Sequence, residues 1–236
     1  MIMAIRRALL PFLAVFLVLT AARPAGTVPG HAHVVDFAGF PGGSVLKWME
    51  QKGFTAKQDA TSASKVQYAV ADDKLILEAK RKALALLLSE TDIVGFTRIR
   101  IEWGVEEFPA GASYEKGVRA DAAMVYVFFG DEKLSSGSML VPNSPYFMGL
   151  FLCQTDPVGR AYQGRYFKAG GRYVCVDQTK AGENVVTEFA IDGAFKNFFG
   201  LSETPYISGL GIAIDTDSAK GNGTAKSFIR KIEFLK

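Results

Sequence analysis

The strongest signal along the chain is alternation of apolar and polar residues with a period of two. In TRIRIEW, Thr97, Ile99, Ile101 and Trp103 share one face, while Arg98, Arg100 and Glu102 share the other. That is the pattern of a strand with one side in a core and one in water, and it places Trp103 in the core. SKVQYAV sets Val66, Tyr68 and Val70 opposite Lys65 and Gln67, and KLILEAK sets Leu75, Leu77 and Ala79 opposite Lys74, Ile76, Glu78 and Lys80. The two runs flank Asp72 and Asp73 and predict a hairpin. AMVYVFF, residues 123–129, is apolar on both faces and predicts a central strand. Further strands are predicted at PYFMGLFLC, QGRYFKA, RYVCVDQ, VVTEFAI, YISGLGIAID and KSFIRKIEF, separated by Gly, Pro, Asn or Asp. DGAFKNFFG predicts a helical turn or two ended by Gly200. With no internal repeat or interdomain linker, the expected architecture is all-β: an antiparallel, jelly-roll-like β-sandwich with one short helical segment.

The N-terminus has a different pattern. Arg6 and Arg7 precede an apolar run from Ala8 to Leu19, followed by small residues, the layout of a secretory signal. The run is shorter than the roughly 20 residues that a bilayer span requires. The expected organisation is a signal peptide over residues 1–22, a flexible mature N-terminus over 23–32, and a single domain over 33–236. The mature chain is expected in the periplasm without a transmembrane span. Loss of Arg6 and Arg7 with the signal takes the formal net charge from +3 to +1. Such a balance gives nucleic-acid binding no electrostatic support.

Candidate chemistry is sparse. The chain contains no GxSxG elbow, HExxH pair or glycine-rich phosphate loop. His31 and His33 are its only histidines, and a zinc site would need further ligands that no spacing supplies. Asp215, Asp217 and Asn222, in DTDSAKGNGT, offer oxygen ligands of the kind calcium takes. The same residues suit a hairpin turn, which is the expected role, so no cofactor is predicted. Glu102, Asp121, Glu188, Asp192 and Asp215 are the carboxylates from which a glycan-cleaving pair would be drawn. Solvation, or pairing with Arg98, Arg100 and Arg230, is the expectation for them.

GRAYQGRYFKAGGRYV interleaves Arg160, Arg165 and Arg172 with Tyr162, Tyr166 and Tyr173. Aromatic faces stack on sugars and arginine forks pair with acidic groups, so these six residues are candidate ligands for an acidic glycan or envelope polysaccharide. Cys153 and Cys175 are the only cysteines. An oxidising compartment favours a bridge. A meander through PYFMGLFLC, QGRYFKA and RYVCVDQ, however, puts a strand between them, with α-carbons at least about 9 Å apart. A disulfide needs about 7 Å or less, so free, buried thiols are expected.

FTRIRIEWGVEEFP, RADAAMVYVFFGD, FKNFFG and GLGIAIDTDSAKGNGTAKSFIRKIEF, in that order, resemble the bacterial domain-of-unknown-function family numbered 3047, over roughly Phe37 to Phe234. The resemblance implies a secreted β-sandwich and draws attention to Trp103, to Asp121 with the strand through Tyr126 and Phe128, to Phe199 with Gly200, and to Asp215 with Asp217. Asp121 and Tyr126 join the candidate ligand-binding residues on this basis. The chain departs from the family pattern at Ala120, where a second Asp is expected, and at ENVVTEFAID, which lacks the expected Trp. The expected function is non-catalytic binding of a carbohydrate-like or cell-envelope ligand. A polysaccharide lyase or glycoside hydrolase and an envelope assembly protein with a protein partner are the alternatives.

Overall fold

The computed structural model describes residues 33–236; the predicted signal peptide, the flexible N-terminus and His31 lie outside them. In chain order the elements are β1 (His33–Asp36), α1 (Val45–Gln51), β2 (Phe54–Gln58), β3 (Val66–Ala71), β4 (Lys74–Ala79), β5 (Leu84–Ile93), β6 (Arg98–Glu107), β7 (Asp121–Leu134), β8 (Ser144–Cys153), β9 (Ala161–Tyr162), β10 (Gly171–Gln178), β11 (Asn184–Phe189), α2 (Ile191–Phe199), β12 (Ile207–Asp215) and β13 (Ala225–Leu235). They form a β-sandwich. One sheet has the order β11-β6-β13-β4-β3, with β1 also paired to β13; the other runs β2-β5-β12-β7-β8-β10-β9.

The core between the sheets follows the predicted parity. Ile99, Ile101 and Trp103 of β6 point inward with no exposed surface, as do Leu75 and, all but completely, Leu77 of β4. The Trp103 indole Nε1–H donates to Thr187 Oγ1 at 3.0 Å, which satisfies its one polar atom inside the core. Asp72 and Asp73 both take positive φ, 51° and 56°, in the tight turn joining β3 to β4. The helical segment α2 ends on Gly200, which adopts the left-handed conformation as its cap. A second helix, α1, is capped by the Ser44 side chain, which accepts from the Lys47 N–H.

Besides this second helix, two features depart from expectation. Cys153 and Cys175 form a disulfide, with α-carbons 5.7 Å apart. The predicted meander fails because QGRYFKA is not a strand: only Ala161–Tyr162 pairs there, and it lies on the far side of β10. β10 therefore sits directly beside β8 and runs parallel to it, an exception to the otherwise antiparallel ladders. This contact brings the cysteines within bridging distance.

Candidate functional site

The outward side of the seven-stranded sheet has an unusual composition. On β7, Ala123, Val125, Val127 and Phe129 face the core, so Met124, Tyr126 and Phe128 face out. The neighbouring strands add Phe147, Gly149, Phe151 and Cys153 from β8, Tyr173 and Cys175 from β10, and Gly209, Gly211 and Ala213 from β12. Glycines make room for the rings. A Cβ on Gly149 would meet Tyr126 and Tyr173 ring carbons at 3.2 Å, and one on Gly171 would lie 2.5 Å from the Phe147 ring. The rings thus lean across adjacent strands and touch one another: Tyr126 and Phe128 are 5.9 Å apart and within 20° of parallel, while Tyr126 and Tyr173 meet edge to face at 6.3 Å. Tyr126, Phe128 and Tyr173 are only partly buried. A sheet face meant only for solvation would carry polar side chains instead.

Beyond Phe128 this face opens into a cleft of about 670 Å³ bordered by Leu88, Glu90, Asp131, Lys133, Asn143 and Tyr206. A larger cleft, about 860 Å³, lies between β1, β2 and β5. Its one aromatic side chain besides His33 is the buried Phe54, and it is bordered by the first described residue, so the aromatic face is the better-defined candidate.

At the opposite end of the aromatic face, Tyr114 from the β6–β7 loop is laid over the sheet. Its ring stacks on Phe151 at 4.4 Å and approaches Tyr162 and Tyr173 at 5.3 and 5.8 Å. Asp156, itself buried, fixes the loop by accepting from the Ser113 hydroxyl at 2.6 Å and the Tyr114 N–H at 2.7 Å. The Tyr114 hydroxyl donates to Asp121 Oδ2 at 2.7 Å. Asp121 is only 3% exposed, and its Oδ1 has no hydrogen-bond partner among the described residues. Its position results from an irregularity in the β7–β12 ladder, since Ala122 and Ala123 both turn into the core. A bulge of this kind re-aims the side chain next to it.

Asp121 pairs in register with Asp215 of β12. Burial drives the Asp121 carboxyl well above the usual range; Tyr114 opposes this and the charges of Asp215 and Asp156 add to it. Burial also raises Asp215 to about 6, against the effect of the Asp217 N–H donated to its Oδ1 at 3.1 Å. Burial lifts the Tyr126 hydroxyl, with Tyr173 and both carboxylates contributing, and lifts Tyr173 to about 12. Asp121, Asp215, Tyr114, Tyr126 and Tyr173 therefore form one electrostatically linked group.

The structure sorts the residues singled out from the sequence. Asp121, Tyr126 and Tyr173 come together, with Tyr162 at the margin, where its hydroxyl donates to Glu115 at 2.7 Å. Arg160 is held at the rim by Glu115, at 2.9 Å. Arg165 lies over Tyr166 in the turn before β10. Arg172 faces the opposite way from Tyr173, donating to the Phe198 carbonyl at 3.2 Å and lying over the Phe199 ring. Three of the five candidate carboxylates form ion pairs: Glu102 with Arg230, Glu188 with Arg98 and Arg100, and Asp192 with Lys196. Only Asp121 and Asp215 converge.

Asp217 and Asn222 are exposed in the β12–β13 turn, where Ser218 donates to the Arg119 carbonyl. Among the described residues, no three His, Cys, Asp or Glu side chains cluster as a metal site. His33 packs edge to face on Phe234. Tyr114 was not singled out from the sequence; the only cue is an isolated aromatic in an otherwise polar loop, AGASYEKG.

No family model matches the chain, and no curated protein matches it. Among solved structures it is similar to CBM86, a low-affinity xylan-binding module from Roseburia intestinalis, at 12% identity and a TM-score of 0.36, over 87% of this chain and 95% of that one. It is similar also to the K2 cleaved adhesin domain of Lys-gingipain, at 8% identity and a TM-score of 0.38, over 87% and 100% of the two chains. An endo-1,4-β-xylanase from Trichoderma reesei follows at 8% identity and a TM-score of 0.33, over 75% and 96%.

Proposed function

We propose that the protein binds a glycan on the outward face of its seven-stranded sheet and that it acts after export to the periplasm. The observation that carries this reading is the row of partly buried aromatic side chains, Tyr126, Phe128 and Tyr173, on the side of the sheet away from the core. Aromatic rings stack on the apolar faces of sugars, and the core between the sheets does not need these three side chains. The glycines beneath the rings keep the face shallow, and the cleft beyond Phe128 gives an extended ligand room to continue. An array of neutral, amino and acidic glycans, probed with the purified protein and followed by an assay for released product, tests the reading. Binding without turnover supports it; absence of binding to every glycan overturns it.

The convergence of Asp121 and Asp215 favours one second reading, glycoside cleavage by a carboxyl pair. In that case the product assay is positive, and Asp215→Asn abolishes release.

A further inference from the structure

Two adjacent apolar side chains in the β7–β8 loop have almost no cover. Met139 and Leu140 are 103% and 94% exposed, well above the next most exposed large apolar residue, Val186, at 57%. They are held out because the loop is closed at its neck. Ser136, itself buried, donates its hydroxyl to the Val141 carbonyl at 2.5 Å and accepts the Ser138 N–H at 3.2 Å, while its own N–H donates to Asn143 Oδ1 at 3.2 Å. Gly137 turns the chain at φ 77°, and the Leu140 N–H donates to Ser138 Oγ at 3.2 Å. Exposed apolar residues scattered singly are ordinary, whereas an adjacent pair presented on a closed turn marks a contact surface.

The loop before β10 adds charge beside this tip. The Phe167 N–H donates to the Ser136 carbonyl at 3.0 Å, and Leu134 fills the space over Gly170, where a Cβ would lie 2.4 Å from Leu134 Cδ1. Arg165 and Lys168 are exposed on that loop, as is Lys133 at the end of β7, and Arg165 lies over the partly buried Tyr166 at 5.4 Å. Among the described residues none of these three cations forms an ion pair. Neither 133–144 nor 163–170 contains an acid; Asp131 and Glu132 precede the loop on β7. An apolar tip beside unpaired cations and a tyrosine is the composition that settles into the headgroup layer of a bilayer.

We propose that the protein docks on anionic phospholipid bilayers through these two loops, with Met139 and Leu140 entering the headgroup region and Arg165 and Lys168 meeting lipid phosphates. This does not rest on the glycan-binding reading. Asn143 and Ser144, at the end of the β7–β8 loop, border the cleft beyond Phe128, so docking sets that cleft beside the bilayer.

The test is sedimentation with vesicles of phosphatidylcholine alone and of equal parts phosphatidylcholine and phosphatidylglycerol. It uses residues 23–236, so that the apolar run from Ala8 to Leu19 does not itself partition. Each basic residue near an anionic surface contributes about fivefold in binding. The protein is therefore expected to bind the mixed vesicles about tenfold or more above phosphatidylcholine alone. Arg165→Gln with Lys168→Gln should remove most of that difference. Met139→Ser with Leu140→Ser should weaken binding to the mixed vesicles about tenfold. All four positions are exposed, so melting temperatures should not change, and Val186→Ser, on the other sheet, should bind as wild type does. Absence of binding to the mixed vesicles overturns the proposal, as does binding that survives Met139→Ser with Leu140→Ser or is lost equally in Val186→Ser. A concentration-dependent dimer that the same Met139 and Leu140 changes dissolve, with no vesicle binding, would assign the tip to a second copy of this chain instead. Every one of these outcomes leaves the glycan array as a separate question.

Discussion

Replacing Asp215 by Asn should stabilise the protein, and only above a defined pH. The native carboxyl is raised from 3.8 to about 6, chiefly by burial. For a carboxyl whose folded pKa exceeds its unfolded value, the favourable contribution is fully present below the unfolded pKa. It is lost as pH rises through the folded one. The window therefore runs from about pH 4 to pH 6. Two pKa units correspond to about 3 kcal/mol, and partial contact with water reduces this to about 2 kcal/mol. Asparagine retains the oxygen that accepts the Asp217 N–H, so the local turn is preserved. Wild type and variant should have nearly equal stability at pH 4, and Asp215→Asn should be more stable by about 2 kcal/mol at pH 8, or about 4–8 °C in Tm for a domain of this size. Denaturant melts of both proteins at intervals from pH 4 to pH 8 measure this directly. A variant no more stable at pH 8, or stabilised equally at pH 4, would refute the argument that Asp215 is buried beside Asp121 on the outward face.

Trp103→Ala should cost about 3–5 kcal/mol by leaving a large cavity; an unchanged melting curve would place the indole outside the core. Alkylation in denaturant without reductant should label neither cysteine, and replacing Cys153 and Cys175 together by Ser should cost about 3 kcal/mol for a loop of this length. Two labels per chain would disprove the adjacency of β8 and β10. Melting curves in calcium and in chelator should superimpose, since Asp215 is engaged with the Asp217 N–H and Asp217 and Asn222 face solvent. A rise of about 2.7 kcal/mol at a hundredfold excess over Kd, absent in Asp217→Ala, would identify a calcium site.

The sandwich was legible because alternation reports one-sided burial, and β3, β4 and β6 alternate clearly. α1 and β5 were less so. LALLLSETDI, over β5, is leucine-rich and apolar on both faces at its start, a composition that suits a helix as readily as a strand. The β8–β10 pairing was hidden because QGRYFKA has strand-like residues yet forms a turn, with Phe167 at φ 57°. Parity alone also misplaces Asp121: counted back from Tyr126 it falls on the inward side, and the inward turn of both Ala122 and Ala123 reverses that. Local composition marked Tyr173, and the family resemblance drew attention to Tyr126, but alternation within β10 already separates Arg172 from Tyr173. Asp121 and Asp215 are 94 positions apart in sequence, and only strand pairing brings them together.

The outward face of the seven-stranded sheet is the proposed ligand-binding surface. Backbone amide shifts recorded while the isotope-labelled protein is titrated with the strongest array glycan test it most directly. Perturbations should concentrate around Tyr126 and Phe128 of β7, Gly149 of β8, Tyr173 of β10 and Gly209 to Asp215 of β12, and should be lost in Tyr126→Ala. Perturbations centred instead on the cleft between β1, β2 and β5, at residues such as Val35, Lys57 and Asp92, would contradict it.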